Sequence, residues 1–577
     1  QRAAEPFCVL AGACGVFDYP ETSLRMAWKT LLANQAHDSL GGCAADKVHR
    51  DMATRLRKTT EIARGLSKRA LMGIASSIDC RELPENHLAL CVFNPLARSR
   101  DELLEAYLLV PKEIELQRPA LFHASGDRVD CQITRDEDWT ANVEKFAMDV
   151  HSLVECQAWR VRFLARDLPA LGWRTFYLKD DAERPAESNT ADDADPRVLE
   201  NEHLSVRVGD NGTLDVTHKA TGRQFNGLHY FEDRGERGGP WHSGLVPGYE
   251  PRTSRDCRAT VRTIADDRFA AVREVAIDFP LPADLESDEQ RRSERTVELP
   301  IRTRLTLKRH SPVLEFETWL DNNVKSHRLR AMFPSGLTDA TSAEAEGQFD
   351  VVSRPIVPID PDDADIPGGD FLDGTEHAPV STHPQLSFMD ISNGRQGLAI
   401  LNAGMCEYEV IDDDERTVGL TLFRTFPKLK IMHAYMEGLE GQCLGEATFR
   451  YALAPHEGDW READLHHHAA CFNVPPTALQ FVIDGKGGDL PQAWSMLELD
   501  GLVLDCLKKA EHSDNLILRA HNPLPAEVAY HVRCAADIRE AHLCNLEEHR
   551  RQELPISGNA ITGRIGSKKI VTMELDI

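Results

Sequence analysis

The chain has 577 residues, of which 42% are hydrophobic and 28% are charged, a composition typical of globular proteins with several domains. Its formal net charge of -27, without a Lys/Arg-rich patch, argues against nucleic acid and anionic membrane surfaces as partners. No apolar run approaches the roughly 20 residues of a membrane span, and 14 cysteines without a CxxC pair predict reduced thiols in a cytoplasmic protein.

The segment 27–52 predicts one helix, a glycine break and the start of a second helix. Residues at helical spacing predict a buried stripe on each helix. The stripes comprise Trp28, Leu31, Leu32 and Gln35 in the first helix, and Val48, Met52, Leu56, Ile62 and Leu66 in the second. Gly41 and Gly42 favour the break, because glycine tolerates the left-handed turn that ends a helix.

A His-Asp pair, His37 and Asp38, lies at this break. A neutral imidazole and a carboxylate at a rigid helix end suit metal ligation together with recognition of a polar ligand. From spacing alone, however, a cap or a surface hydrogen bond is the commoner role of such a pair.

The pattern changes to short alternating strands after the helices. We predict a helical bundle over 1–79, a small β-sandwich over 80–179, a large β-sandwich domain over 197–475 and a C-terminal β-sandwich piece over 476–577. The segment 180–196, rich in Asp, Ala and Pro, predicts an exposed linker. The fold class predicted is α+β multidomain, with a helical segment followed by antiparallel β-sandwiches.

Other candidate metal ligands are weak. The D-x-H triplets at 149–151 and 464–466 are expected by composition in a chain with 23 His and abundant Asp. The histidine run 466–468 could bind a transition metal, but we favour a solvated loop between two β domains.

The segment 27–52 resembles a motif of glycoside hydrolase family 38, the α-mannosidases, in the bacterial branch that includes mannosylglycerate hydrolases. That branch carries a segment like WKxLLxNxxHDSxxGCxxDxVHxDM. Further resemblances follow in the same order, and their number makes chance agreement unlikely. They are LENEHL at 199–204, LHYFED at 228–233, HRLR at 327–330, FDVVSRPI at 349–356, THPQ at 382–385 and ALAPHEGDW at 452–460.

The resemblance implies hydrolysis of α-mannosides, mannosylglycerate among them, by a metal-dependent retaining mechanism. It implies that His37 is one of four ligands of a divalent ion, with zinc expected, and that Asp38 contacts sugar hydroxyls. Retaining glycosidases use two carboxyl functions, one of them the nucleophile. In the family, the nucleophile and the other metal ligands belong to an N-terminal α/β barrel that precedes this segment. Only 26 residues precede Ala27, so we expect the barrel, and with it the nucleophile, to be absent from this chain.

The resemblance also places loops of the large β domain beside the sugar pocket. The segment 231–247 stands where the branch has a loop of the ED-G-D-x-Y type, and Glu236, Gly239 and Trp241 replace the usual Asp and Tyr residues. Trp241 could stack on a sugar ring or belong to the core, and the sequence leaves both open. Arg424 resembles a strand arginine that borders the family site. Asp38, Trp241 and Arg424 are therefore the candidate substrate-binding residues.

Three interpretations remain open at this stage. The chain is an α-mannosidase part that needs its barrel, a non-catalytic carbohydrate-binding or structural β-sandwich fragment, or one chain of a split enzyme. The expected partners are an α-mannoside substrate and the missing N-terminal catalytic domain, without nucleic acid or membrane. Homo-oligomerisation is left open.

Overall fold

A computed structural model describes residues 1–83, 87–114, 116–145, 150–181, 195–240, 243–356, 381–426, 428–431, 434–437, 440–483 and 487–577. The chain divides into two compact units. Unit 1 comprises Gln1–Lys29, Lys58–Ser188 and Val474–Ile577, and unit 2 comprises Thr30–Arg57 and Asn189–Asn473.

Helices precede the strands, and one further helix follows the long β region. The α-helices are α1 Ala4–Ala13, α2 Glu21–Leu32, α3 His37–Leu40, α4 Asp46–Ala75 and α5 Leu465–Asn473. Among the described residues, no helix combines the length and the apolar character that crossing a membrane requires.

The strands fall into three groups along the chain. The first group is β1 Leu88–Asn94, β2 Arg100–Pro111, β3 Pro119–His123, β4 Cys131–Arg135, β5 Trp139–Lys145, β6 Val150–Leu168 and β7 Gly172–Asp180. The second group is β8 Val198–Glu200, β9 Leu204–Val208, β10 Leu214–His218, β11 Arg223–Leu228, β12 Tyr230–Gly235, β13 Arg252–Thr253, β14 Ala259–Asp266, β15 Ala270–Pro282, β16 Thr296–Lys308, β17 Leu314–Asn322, β18 His327–Pro334, β19 Ser342–Gly347, β20 Asp350–Pro355, β21 Thr382–Pro384, β22 Phe388–Ser392, β23 Gln396–Asn402, β24 Glu407–Val410, β25 Thr417–Arg424, β26 Lys428–Ile431, β27 Ala434–Glu437 and β28 Gly445–Glu457. The third group is β29 Thr477–Val482, β30 Ala493–Ser495, β31 Leu497–Asp500, β32 Val503–Lys509, β33 Leu516–His521, β34 Val528–Cys534, β35 Glu540–Cys544, β36 Arg550–Glu553, β37 Ile556–Ser557, β38 Ala560–Ile565 and β39 Ile570–Asp576.

Unit 1 contains two pairs of antiparallel sheets. The first pair has the strand orders β29-β1-β7-β3, with β30 beside β7, and β2-β6-β4, with β5 beside β6. The second pair has the orders β31-β34-β38-β37 and β32-β33-β39-β35-β36. Strand β29 from the third group therefore completes a sheet of the first group, which local sequence patterns do not reveal.

Unit 2 is built on a long sheet of order β14-β15-β16-β17-β28-β23-β22-β19-β20. A six-stranded sheet, β13-β12-β18-β25-β24-β21, contributes apolar residues to the same core, among them Phe231, Leu329 and Phe333. Smaller sheets, β11-β10-β9-β8 and β26-β27, accompany them. Because side chains alternate along a strand, the residues between these apolar ones lie on the other face of the six-stranded sheet. That face carries the polar groups described below.

The predicted fold class is confirmed, since α1 to α4 precede predominantly antiparallel sheets. The domain boundaries predicted from the sequence stay predictions. The predicted linker lies largely outside the described residues, which omit 182–194.

The buried stripes predicted for the first two long helices are only partly correct. Leu66 is buried as expected, but Leu32, Val48 and Leu56 are exposed. Helix α2 instead buries Leu24 and Ala27. Helical spacing indicates an apolar face, but it does not identify what covers that face.

Candidate functional site

His37 and Asp38 open α3, a single helical turn that is separate from α2. The N–H of Gly41 donates to the carbonyl oxygen of His37 at 2.8 Å, and Gly42 has a φ of 79°. A glycine adopts this left-handed conformation without the steric cost that a Cβ imposes. His37 Nε2 lies 3.4 Å from Asp38 Oδ1, and the two side chains are 96% and 62% exposed. The pair therefore faces solvent in this chain.

Two neighbours fix the backbone that carries the pair. The thiol of Cys43 donates to Asp38 Oδ1 at 3.2 Å and to the Asp38 carbonyl oxygen at 3.3 Å. Burial and the hydrogen bond to Asp38 raise the pKa of the Cys43 thiol, so it stays protonated as a donor. Buried Asn34 donates to the Met52 carbonyl oxygen at 3.1 Å and accepts from Arg55 Nη1 at 3.3 Å. These contacts tie the segment before α3 to α4.

The pair supplies an incomplete ligand set for a divalent ion. Protein zinc sites use three or four protein ligands, and imidazole nitrogen is one of the preferred donors. Within the part of the chain that the structure describes, no group of three or more His, Cys, Asp or Glu is arranged to hold a metal. The exposed imidazole of His37 fits the role of one ligand, and the described residues do not complete the set.

A second candidate element is the loop that follows β12, which the carboxylate of Glu236 organises. Oε1 of Glu236 accepts from the N–H groups of Gly238 and Gly244, both at 2.6 Å. Oε2 accepts from Ser243 Oγ, also at 2.6 Å. Glu236 is fully buried, and such a carboxylate is stable inside a protein only when its oxygens are hydrogen-bonded. Glu236 thereby joins the two described ends of the loop, at Gly238 and at Ser243 and Gly244.

Arg424, at the end of β25, supports the same loop. Its Nη1 donates to the Gly239 carbonyl oxygen at 2.9 Å, and its Nη2 donates to the Pro240 carbonyl oxygen at 3.3 Å. The guanidinium thus contacts loop backbone, and its side chain remains 20% exposed. Trp241 lies outside the described residues, so sugar contacts by Trp241 and Arg424 stay predictions.

The polar face of the six-stranded sheet carries buried ion pairs that the sequence analysis did not single out. Arg330 Nη2 lies 2.6 Å from Glu232 Oε1, and Nη1 also pairs with Glu409. Arg234 Nε lies 3.0 Å from the same oxygen of Glu232. The alternation in HRLR at 327–330 does indicate this polar face. Leu329 faces the core, so its neighbours Arg328 and Arg330 lie on the other face of the sheet.

The core side of the same sheet holds a buried His-Asp contact. His327 Nδ1 lies 2.7 Å from Asp233 Oδ1, and His327 Nε2 lies 3.2 Å from Asn322 Oδ1. The hydroxyl of Tyr249 donates to Asp233 Oδ2 at 3.4 Å. Both His327 and Asp233 are fully buried, so this contact stabilises the sheet and does not face a ligand.

The histidine run 466–468 is not a solvated loop, and that prediction is wrong. These residues lie in α5, where His466 Nδ1 is 3.7 Å from Glu346 Oε1. The His466 ring packs edge-on against Phe388 and Trp460. One side of the short helix α5 is buried, which explains why the ring of His466 packs against these aromatic side chains. Of the other triplet, Asp149 lies outside the described residues.

Comparison with known proteins extends over both units. The sequence matches the alpha mannosidase middle domain over residues 2–74, the glycosyl hydrolases family 38 C-terminal domain over 199–428, and the family 38 C-terminal beta sandwich domain over 501–573. It is 26% identical over 570 residues to a Halalkalibacterium halodurans protein named "Putative mannosylglycerate hydrolase", covering 90% of this chain and 59% of that relative. It is 30% identical over 168 residues to mouse alpha-mannosidase 2C1, covering 28% of this chain and 15% of that relative.

Solved structures show the same fold. An alpha-mannosidase from Enterococcus faecalis V583 superposes with a TM-score of 0.88 at 23% identity, covering 100% of this chain and 66% of that chain. A second Enterococcus faecalis structure, of a protein in glycosyl hydrolase family 38, gives 0.86 at 23% identity, covering 100% of this chain and 68% of that chain. The chain thus spans 59% of the length of its bacterial relative. With its helical segment and the second and third groups of strands matched, the chain belongs to glycosyl hydrolase family 38 and comprises middle and C-terminal domains of that family.

Proposed function

We propose that this chain is the middle and C-terminal part of a metal-dependent, retaining hydrolase of α-mannosides, mannosylglycerate among them. Family membership and the name of the bacterial relative support the reaction class. The observation that carries the proposal is the solvent-facing pair His37 and Asp38 on the helical turn α3. An exposed imidazole and carboxylate, held side by side, suit a site that another part of the protein completes.

The surface that flanks the pair supports such a completion. Leu32, Leu40 and Leu56 are exposed on the segments before, within and after α3. Fully burying one such side chain stabilises a protein by about 1.5–3 kcal/mol, so a domain that covered these leucines would be held by their burial. We therefore propose that the N-terminal catalytic domain of the complete protein packs here. That domain would supply the nucleophile and the remaining metal ligands.

The roles of the two side chains differ. His37 would hold the divalent ion, with zinc as the proposed metal, through one ring nitrogen. The bound ion would supply positive charge that orients sugar hydroxyls. Asp38 would accept hydrogen bonds from sugar hydroxyls, and bonds that strengthen as the ring distorts lower the barrier. The hydrogen bond from the Cys43 thiol to Oδ1 holds the Asp38 carboxylate in place.

The loop 236–244 would border the sugar. Arg424 and Glu236 both hold its backbone through the hydrogen bonds described above. Trp241, within this loop, would offer an aromatic face to the C–H groups of a sugar ring. Arg424 would act on the substrate through this loop as well as by direct contact.

The absence of CxxC pairs among 14 cysteines supports a cytoplasmic location.

The test compares the chain alone with the same chain joined to its native N-terminal domain. The joined protein should hydrolyse an aryl α-mannoside with retention of configuration and lose activity with a chelator, whereas the chain alone should be inactive. In the joined protein, His37→Ala should lose both metal and activity, while Asp38→Asn should keep the metal and lose most turnover. Near wild-type activity in both variants would refute the assignment of this pair. A joined protein that binds mannosides without cleaving them would favour the non-catalytic alternative.

A further inference from the structure

Three arginines lie in one row across adjacent strands of the six-stranded sheet. Arg234 on β12 is the register partner of Arg328 on β18, and Arg328 is the register partner of Arg424 on β25. Directly opposite side chains on antiparallel strands point to the same face, with Cβ atoms about 4.5–5.5 Å apart. Three cations are thereby placed side by side.

A β-bulge brings the third arginine into the row. The register between β18 and β25 shifts between Leu329 and Arg330, so that Arg330 pairs with Thr421 and Arg328 pairs with Arg424. At this bulge β25 has one residue more than β18. Without that residue, the alternation of side chains from Thr421 onward would place Arg424 on the core face of the sheet. Bulges re-aim side chains and are common beside functional sites.

The charge compensation along the row is uneven. At the ends, Arg234 contacts Glu232, and Arg424 contacts loop carbonyls and lies 3.7 Å from Glu236 Oε2. In the centre, Arg328 Nη1 lies 4.0 Å from Glu407 Oε1. That oxygen already accepts a hydrogen bond from Thr421.

The central arginine is also buried with an unused donor. Arg328 is 8% exposed, and among the described residues its Nε has no hydrogen-bond partner. Burial, followed by the nearby charge of Arg330, lowers the pKa of Arg328. Like charges directly opposite on neighbouring strands are destabilising, and so is a buried donor without an acceptor. An anion at the centre of the row would remove both penalties.

We propose that the row Arg234, Arg328 and Arg424 binds the oxyanion of a small ligand, a carboxylate or a phosphate, and selects acidic mannosides as substrates. Guanidinium groups present paired N–H donors whose geometry matches such oxyanions. The two ends of the row are partly open to solvent, since the side chains of Arg234 and Arg424 are 31% and 20% exposed. The selection of mannosides rests on the proposed function, whereas anion binding by the row does not depend on that function.

Binding to the whole 577-residue chain tests the anion site directly. Glycerate and inorganic phosphate would be titrated by calorimetry, with uncharged glycerol as the matched probe. We expect saturable binding of at least one anion and none of glycerol, and the two anion titrations show which oxyanion the row prefers. Arg328→Gln should weaken that binding by about tenfold or more, because it removes charge-assisted hydrogen bonds. The control Arg395→Gln, at an exposed arginine paired with Asp339 elsewhere, should bind as the wild type does.

Arg234→Gln is a second variant for the case in which Arg328→Gln does not fold, and it should also weaken anion binding. Absence of saturable anion binding, or equal affinity in wild type and either row variant, would overturn the inference. In the joined protein, the wild type should prefer mannosylglycerate or a phosphorylated mannoside to methyl α-mannoside, and Arg328→Gln should lose that preference. Cleavage of mannosides with the preference unchanged would refute only the anion site. Anion binding without any cleavage would refute only the proposed function.

Discussion

Glu236 and Arg424 meet at the loop after β12, where Arg424 Nη1 lies 3.7 Å from Glu236 Oε2 and each side chain binds loop atoms separately. Glu236 accepts from two backbone N–H groups and one hydroxyl, and Arg424 donates to two carbonyl oxygens. The described parts of this loop, residues 236–240 and 243–244, thus donate hydrogen bonds to the Glu236 carboxylate and accept them from the Arg424 guanidinium. Backbone that is already held by such hydrogen bonds loses less conformational freedom when a ligand binds.

Glu236→Gln should loosen this loop. Glutamine carries no negative charge and its amide nitrogen cannot accept a hydrogen bond, so the charge-assisted bonds from Gly238, Ser243 and Gly244 would be weakened, at a cost of about 1–3 kcal/mol. The exposed Arg237 lies within the loop and provides a trypsin site. We expect faster cleavage after Arg237 in the variant, measured by limited digestion and mass spectrometry. Glu202→Gln, at an exposed glutamate, is the control, and an unchanged rate in Glu236→Gln would contradict the role of the carboxylate.

Asp233→Ala should destabilise unit 2. The substitution removes the carboxylate whose Oδ1 lies 2.7 Å from His327 Nδ1. That ring nitrogen is fully buried and loses this hydrogen-bond partner. The expected loss in the free energy of unfolding is about 1–3 kcal/mol, measured by urea denaturation. Asp233→Asn is the matched control, because its amide oxygen can still accept a hydrogen bond. Equal stability of the alanine and asparagine variants would show that this hydrogen bond contributes little.

The stability of unit 1 should depend on the ionisation of Glu574. Hydrogen bonds from Arg550, Ser513 and Asn515 outweigh burial and lower the pKa of Glu574 from 4.5 to about 2, and the bonds from Arg550 contribute most. A lowered pKa stabilises the folded state fully above the unfolded value and loses that effect as the pH falls through the folded value. The stability difference between wild type and Glu574→Gln should therefore be largest above pH 4.5 and shrink towards pH 2. Thermal melts over this range test it, and a difference that does not vary with pH would contradict it.

The chain alone should not retain zinc tightly. One imidazole and one carboxylate provide fewer ligands than a protein zinc site needs, and both side chains are largely exposed. After dialysis, elemental analysis should find far less than one equivalent of metal. A stoichiometric metal that His37→Ala removes would show that other residues of this chain complete the site.

The sequence by itself identified the helical segment, the strand-rich remainder and the residues at the family motif. These features depend on local rules. A helix and a strand have different periodicities of apolar residues, and glycines at 41 and 42 permit the turn that exposes His37 and Asp38. The family resemblance rested on the same short segments, and the matches over 2–74, 199–428 and 501–573 confirm it.

Tertiary structure alone decided which residues that are distant in the sequence lie side by side. Arg234 and Arg328 lie 94 positions apart in the sequence, and Arg328 and Arg424 lie 96 positions apart. Only the register of β12, β18 and β25, with its bulge, aligns them. Register depends on the packing of a whole sheet against its core, so a shift by one residue would turn each arginine to the opposite face. For the same reason, helical spacing predicted an apolar stripe containing Leu32 but not its exposure. Periodicity gives the direction of a side chain, whereas burial depends on what the rest of the chain places against it.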